Sequence, residues 1–184
     1  MEWRDEGILL ATRPHGEGGA IADVLTALHG RHAGLVRGGA SRKMAGVMQP
    51  GAQLDLTWRA RLEGQLGALV VEPLRQRAGA LLGDRLALSG LGAVCALCRY
   101  ALPERAPCPG LYSATLAMLD RLGAPGWLND YVHWELRLLD ETGFGLDLMQ
   151  CAVTGARTGL AYVSPRTGRA VTPEGAGDFA PRLL

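Results

Sequence analysis

Gln53-Leu54-Asp55-Leu56-Thr57-Trp58-Arg59 alternates apolar and polar residues without a break. A period of two sets Leu54, Leu56 and Trp58 on one face and Asp55, Thr57 and Arg59 on the other, the pattern of a strand with one buried face and one wet face. Around this segment, turn signals recur: Gly16-Glu17-Gly18-Gly19, His29-Gly30-Arg31, Gly38-Gly39, Pro50-Gly51 and Glu63-Gly64. The intervening segments, 7–12, 21–28, 33–37 and 65–72, are short. Short segments at that spacing predict a small β-barrel over residues 1–77. One of them reads differently alone. Ile21, Val24, Leu25 and Leu28 fall at i, i+3, i+4 and i+7, which is a helical period.

After residue 78 the period lengthens. Residues 80–102 predict a long helix ended by Pro103, with Leu88, Leu91, Cys95, Cys98 and Leu102 as its buried seam. Residues 111–122 predict a second helix, with Leu111, Thr115, Met118, Leu119 and Leu122 inward. Residues 127–142 predict a third, with Leu128, Tyr131, Val132, Leu138 and Leu139 on its apolar side and Gly143 as its cap. Tyr162-Val163 and Ala170-Val171 flank Ser164-Pro165-Arg166-Thr167-Gly168 as a small hairpin. Residues 173–184 carry no secondary-structure signature.

The 184 residues, 48% hydrophobic and 20% charged, suffice for a substantial core in one domain or two small ones. No run reaches the ~18 apolar residues of a membrane span, and the acidic start Met1-Glu2-Trp3-Arg4-Asp5-Glu6 is unlike a secretory signal. A reducing cytoplasm follows as the expectation for Cys95, Cys98, Cys108 and Cys151. Cys95 and Cys98 form a C-x-x-C whose place on the seam favours core packing. A redox pair or half of a zinc site is the alternative, and would require an exposed thiol. Signals for enzyme chemistry are few. Gly16-x-Gly18-Gly19 lacks the third glycine of a dinucleotide loop, since position 21 is Ile. His133, Glu135, Asp140 and Glu141 read as helix-surface residues.

Charge is more informative. The net charge is only +1, but residues 31–61 hold Arg31, Arg37, Arg42, Lys43, Arg59 and Arg61 against the single acid Asp55. That window carries +5 and leaves −4 for the rest. All but one of the basic residues in the chain are arginines, whose planar forks suit phosphate. The six basic residues are a candidate nucleic-acid-binding site, a face able to follow a phosphate backbone; an ordinary solvated face without a partner is the alternative. Trp58 has the parity of a core residue and not of a base platform.

Two blocks resemble the RecO family of bacterial recombination mediators. The first runs Trp3-Arg4-Asp5-Glu6-Gly7-Ile8-Leu9, Gly16-Glu17, Leu25-Thr26, His29-Gly30-Arg31, Gly34-Leu35-Val36-Arg37-Gly38-Gly39, Ser41-Arg42 and Gln49-Pro50-Gly51. The second runs Trp134-Glu135-Leu136-Arg137-Leu138-Leu139, Gly143-Phe144-Gly145-Leu146-Asp147-Leu148 and Cys151. The resemblance implies an α+β protein: an N-terminal OB-fold barrel over 1–77 and a mainly helical domain over 78–184. It makes 21–28 the second barrel strand. It implies a non-enzymatic, cytoplasmic and nucleoid-associated role without cofactor: binding single- and double-stranded DNA, annealing complementary strands and assisting recombinase loading onto strands coated with single-strand-binding protein. RecR and the C-terminal tail of that coating protein would be partners; a membrane would not. A scaffold or adaptor with little DNA affinity of its own is the alternative. Some relatives carry a four-cysteine zinc module; here Cys151 matches its first ligand but Thr154 stands three later, and 164–172 holds no cysteine. The resemblance therefore implies a degenerate zinc-finger-like loop over 151–172 without metal. Relatives also continue for some tens of residues with further helices, which implies a helical domain incomplete at its C-terminus.

Overall fold

The computed structural model describes residues 1–62 and 64–184, so the turn expected at Glu63-Gly64 lies partly outside the described residues. The chain is α+β, in two compact units, Met1–Trp134 and Glu135–Leu184. The first unit opens with five strands: β1 (Glu2–His15), β2 (Gly19–Thr26), β3 (Gly30–Val36), β4 (Gln53–Arg59) and β5 (Ala68–Arg75). They close a barrel in the order β1-β2-β3-β5-β4, consistent with an OB-fold. All neighbours are antiparallel except β3 and β5, which run parallel where Leu35 meets Ala68. The alternation that opened the sequence reading is kept. Leu54, Leu56 and Trp58 are buried with Leu9, Ala20, Ala22, Val24, Val36 and Leu69 in the barrel core.

The helical period at 21–28 yields to a strand, as the family resemblance implied. β2 is buried on both faces: Ala20, Ala22 and Val24 point into the barrel, while Ile21 and Leu25 are buried on its outer side. A strand covered on both sides shows no polar alternation, so its apolar residues can fall at helical intervals by chance. Leu28 lies beyond the strand and is exposed.

Three helices follow: α1 (Arg85–Ala101), α2 (Pro109–Arg121) and α3 (Trp127–Glu141). The Asp84 carboxylate caps α1 by accepting from the amides of Leu86 and Ala87, both at 3.0 Å. This cap starts the helix five residues later than its predicted boundary, after a 3₁₀ turn at Ala78–Leu81. Leu91, Cys95, Cys98 and Leu102 are buried as the seam requires, but Leu88 is exposed. Gly90 takes the inward place, because the Trp127 ring packs so closely that a side chain there would collide with it. All five inward residues expected of α2 are buried. The Thr115 hydroxyl donates to the Leu111 carbonyl and accepts from the Trp134 indole at 3.0 Å.

The face expected for α3 is corrected. Leu128, Val132 and Leu139 are exposed, whereas Leu138, as expected, is buried, together with Trp127 and Trp134. Those three fall at i, i+7 and i+11, an equally good helical stripe, and the larger tryptophan surface decides which stripe is covered.

In the second unit, Gly143 (φ +83°) ends α3 in the left-handed conformation, and Phe144 donates back to the Leu139 carbonyl at 2.8 Å. The hairpin expected from sequence is present as β6 (Tyr162–Val163) with β7 (Ala170–Val171). Residues 173–184, which lacked a signature, form the short helix α4 (Pro173–Ala176), capped by Thr172, and a 3₁₀ stretch at Gly177–Arg182. Cys151, Val171 and Ala176 form the core of this unit. No helix among the described residues is long and apolar enough to cross a membrane.

Candidate nucleic-acid interface

The barrel separates the six basic residues into three groups. Arg37, Arg42 and Lys43 lie on the long loop after β3; all are exposed, and none makes an ion pair among the described residues. The Ala40 amide donates to the Gly18 carbonyl at 3.2 Å, which seats this loop against the β1–β2 turn. The end of β1 therefore brings Arg13 and His15, both exposed, to the same end of the barrel. The charge window began at residue 31 and so missed them; the antiparallel return of β1 and β2 is the signal that recovers them.

Arg59 and Arg61 leave the end of β4. Arg59 pairs with Glu2 at 2.8 Å, with both side chains largely exposed, whereas Arg61 is exposed and makes no ion pair among the described residues. In register, Arg59 faces Ala68, and Ala68 meets Leu35 of β3. Two strand spacings, about 10 Å, therefore separate Arg59 from the end of β3.

Arg31 has a different set of partners. Its guanidinium donates to the carbonyls of Arg99 at 2.8 Å and Leu102 at 2.7 Å, where α1 ends, and pairs with Asp23 and Glu104, each at 3.2 Å. The Arg31 carbonyl accepts from the Arg105 amide at 2.7 Å. Arg99 also pairs with Asp23 at 3.3 Å. Burial raises the Asp23 pKa, while Arg31 and Arg99 oppose that rise. These groups line a small polar cavity of about 210 Å³ on the outer face of β1–β3, together with Arg13. Gly30 (φ +63°) lies directly against the backbone of Ala106, so the β2–β3 turn and the loop after α1 form a close joint that no side chain at 30 would allow.

At the N-terminal end of β1 the structure assembles an aromatic group that the sequence does not announce. Trp3 stacks on His29, with ring centroids 4.1 Å apart and planes within 9°, and on Trp58 at 5.7 Å and 15°. His32 stands edge-on to both tryptophans. Trp58 is core, as its parity predicted.

A chain with this barrel and these helices matches two family models. Residues 1–77 match the Recombination protein O N terminal model, and residues 82–184 match the Recombination protein O C terminal model. The chain belongs to the RecO family. It is 63% identical over 184 residues to a DNA repair protein RecO of Cereibacter sphaeroides, covering all of this chain and 77% of that relative. It is 58% identical to the DNA repair protein RecO of Dinoroseobacter shibae, again over 77% of the relative. The DNA repair protein RecO of a Jannaschia species is 58% identical over 75% of its length. The chain is thus a RecO-family DNA repair protein.

The cysteines of this RecO-family chain divide by environment. Burial pushes Cys95 up to about 11 and Cys98 up to about 12, so both stay as thiols at neutral pH. Cys95 donates to the Leu9 carbonyl through its sulfur at 3.9 Å. Burial likewise opposes ionisation of Cys151, but hydrogen bonds from Thr154 and Thr172 outweigh it and lower its pKa to about 6. The Thr154 and Thr172 amides point at this sulfur from 3.4 and 3.3 Å. Over 151–172 the structure has the expected hairpin, and the Cys151 sulfur accepts from the Thr154 and Thr172 amides.

Proposed function

We propose that this chain is a non-enzymatic recombination mediator. It binds single- and double-stranded DNA, anneals complementary strands and helps load recombinase onto strands coated with single-strand-binding protein. RecR and the C-terminal tail of the coating protein are its partners, and the nucleoid within the cytoplasm is its place of work. The barrel over 1–77 is the DNA-binding part and residues 78–184 the helical part. The observation that carries this reading is the group Arg37, Arg42 and Lys43: three cations on one exposed loop, free of carboxylate partners among the described residues, on a RecO-family barrel. Cations already paired internally must break those pairs to bind phosphate, whereas these need not.

The test is a salt titration of binding to a fluorescent single-stranded oligonucleotide. A chain carrying Arg37→Glu, Arg42→Glu and Lys43→Glu should bind far more weakly. Its slope of log affinity against log salt should also be shallower by about two, since each single-strand phosphate contact contributes roughly 0.7. Unchanged affinity at low salt would overturn the assignment to this loop. The scaffold reading draws on the second unit, where a mostly apolar cavity of about 630 Å³ is lined by Leu139, Phe144, Leu146 and Val163. Partner capture that survives high salt, with no oligonucleotide binding, would favour it.

A further inference from the structure

We infer that His29 and Trp3 form a stacking platform for an unpaired DNA base, which makes the barrel prefer exposed bases over bare backbone. The inference rests on the DNA-binding reading and adds a second kind of contact to it.

The three rings His29, Trp3 and Trp58 form a continuous stack. Only the inner ring is fully buried: Trp58 is 2% exposed, whereas Trp3 and His29 are half-buried. The stack thus leads from the barrel core to the surface, with its outer members accessible. The outer members are held in place before any ligand arrives. The Asp5 carboxylate accepts from the Leu28 amide at 3.1 Å and lies 3.2 Å from His29 Nδ1, while the Thr26 hydroxyl accepts from the His29 amide at 3.1 Å. A ring fixed in this way loses little freedom when a further ring is laid on it.

The surroundings suit a nucleotide. Trp3 and Trp58 are directly cross-strand and share one face of the sheet; Arg59, paired with Glu2, lies on the other face, and Arg61, just beyond the end of β4, is an exposed cation. The Arg105 charge acts on His32, which stands edge-on to both tryptophans, and its guanidinium donates to the Gln65 carbonyl at 3.0 Å. Of the acids nearby, Glu2 is paired with Arg59, and the Asp5 carboxylate is engaged by the Leu28 amide and His29 Nδ1. Aromatic faces with cations beside them bind single strands by stacking, whatever the base, because every base has a π-face. A duplex keeps its bases stacked on each other and cannot use the platform.

The test compares three fluorescent probes at one salt concentration: an oligothymidylate, an abasic deoxyribose-phosphate oligomer of equal length, and a duplex. The intact chain should bind the oligothymidylate at least about fivefold more tightly than the abasic oligomer. The oligothymidylate, and not the abasic oligomer, should quench tryptophan emission. His29→Ala should remove that preference while leaving abasic and duplex affinity within about twofold, and His29→Phe should restore it. Because Trp3 also packs on the core, His29 carries the test; a thermal melt confirms that each variant is folded. Equal affinity for the oligothymidylate and the abasic oligomer, with the loop triple variant still weakening both, would overturn the platform and leave the DNA-binding reading standing. Binding of none of the three probes would overturn both.

Discussion

Arg31→Ala should unlock the barrel from the end of α1 while leaving DNA contacts largely in place. The Arg31 guanidinium makes two hydrogen bonds to carbonyls at the α1 C-terminus and two to carboxylates, and its side chain is only 17% exposed. A hydrogen bond involving a charged group is worth roughly 1.5–3 kcal/mol, and a cation at a helix C-terminus adds about 0.3–1 kcal/mol. These terms do not add fully, since Asp23 keeps Arg99 at 3.3 Å when Arg31 is removed. A loss of about 2–4 kcal/mol is expected, which for a chain of this size lowers Tm by roughly 5–15 °C. Arg31→Lys should recover less than half of that, because an ammonium cannot reach both carbonyls and both carboxylates as the planar fork does. Arg37→Ala, on the exposed loop, serves as the control and should change stability by no more than ~0.5 kcal/mol. Thermal melts of the three variants, paired with oligonucleotide affinity, form the assay. An Arg31→Ala chain that melts with the parent but loses as much DNA affinity as a loop variant would refute the latch and return Arg31 to the interface.

Two further outcomes concern titrating groups. Cys151 has a folded pKa of about 6, below its unfolded value near 8.5, so its ionisation favours the folded state. That contribution is full above the unfolded value and fades as pH falls toward about 6. Thiolate absorbance should therefore titrate with a midpoint near 6 and vanish in Cys151→Ser; a midpoint near 9 would show that the amides do not hold the thiolate. His32 behaves in the opposite sense. Burial lowers its pKa and the Arg105 charge lowers it further, while the His29 backbone and the Glu104 charge oppose that shift. Below about 6.5 the unfolded chain takes up a proton that folded His32 refuses, so stability falls with acid. His32→Leu should narrow the difference in Tm between neutral and mildly acidic buffer; an undiminished difference would place the acid sensitivity elsewhere.

The fold was legible where burial is one-sided. The alternation at 53–59 and the 3-4 spacing of α2 each have a wet face to mark the period, and the structure keeps both. The signal failed where both faces or two competing stripes are apolar. β2 is buried all round, and α3 offers Leu128, Val132 and Leu139 against Trp127, Trp134 and Leu138. In β2 the apolar spacing imitates a helix, and in α3 periodicity finds the helix but not its whole inward stripe, because that choice depends on which neighbour arrives. The small hairpin at 162–171 was legible from its turn residues, since Ser-Pro-Arg-Thr-Gly between Tyr-Val and Ala-Val needs no tertiary partner to bend.

The interface was legible only as a sum of charge. Net charge over a window records how many cations are near in sequence, not how many carboxylates meet them in space. Arg31 counts as much as Arg42 in that sum, yet one has four internal partners and the other no ion pair among the described residues. The acids that satisfy Arg31 are Asp23, just before the window, and Glu104, far beyond it. Barrel closure brings in Asp23 from the neighbouring strand, and the docking of the loop after α1 brings in Glu104. The same closure places Trp3 across from Trp58 and carries His29 over it, from three places in the chain that share no motif. A phosphate-binding surface therefore has to be read in pairs: a cation counts toward it only once the strand beside it, and the loop packed above it, have been shown to bring no acid.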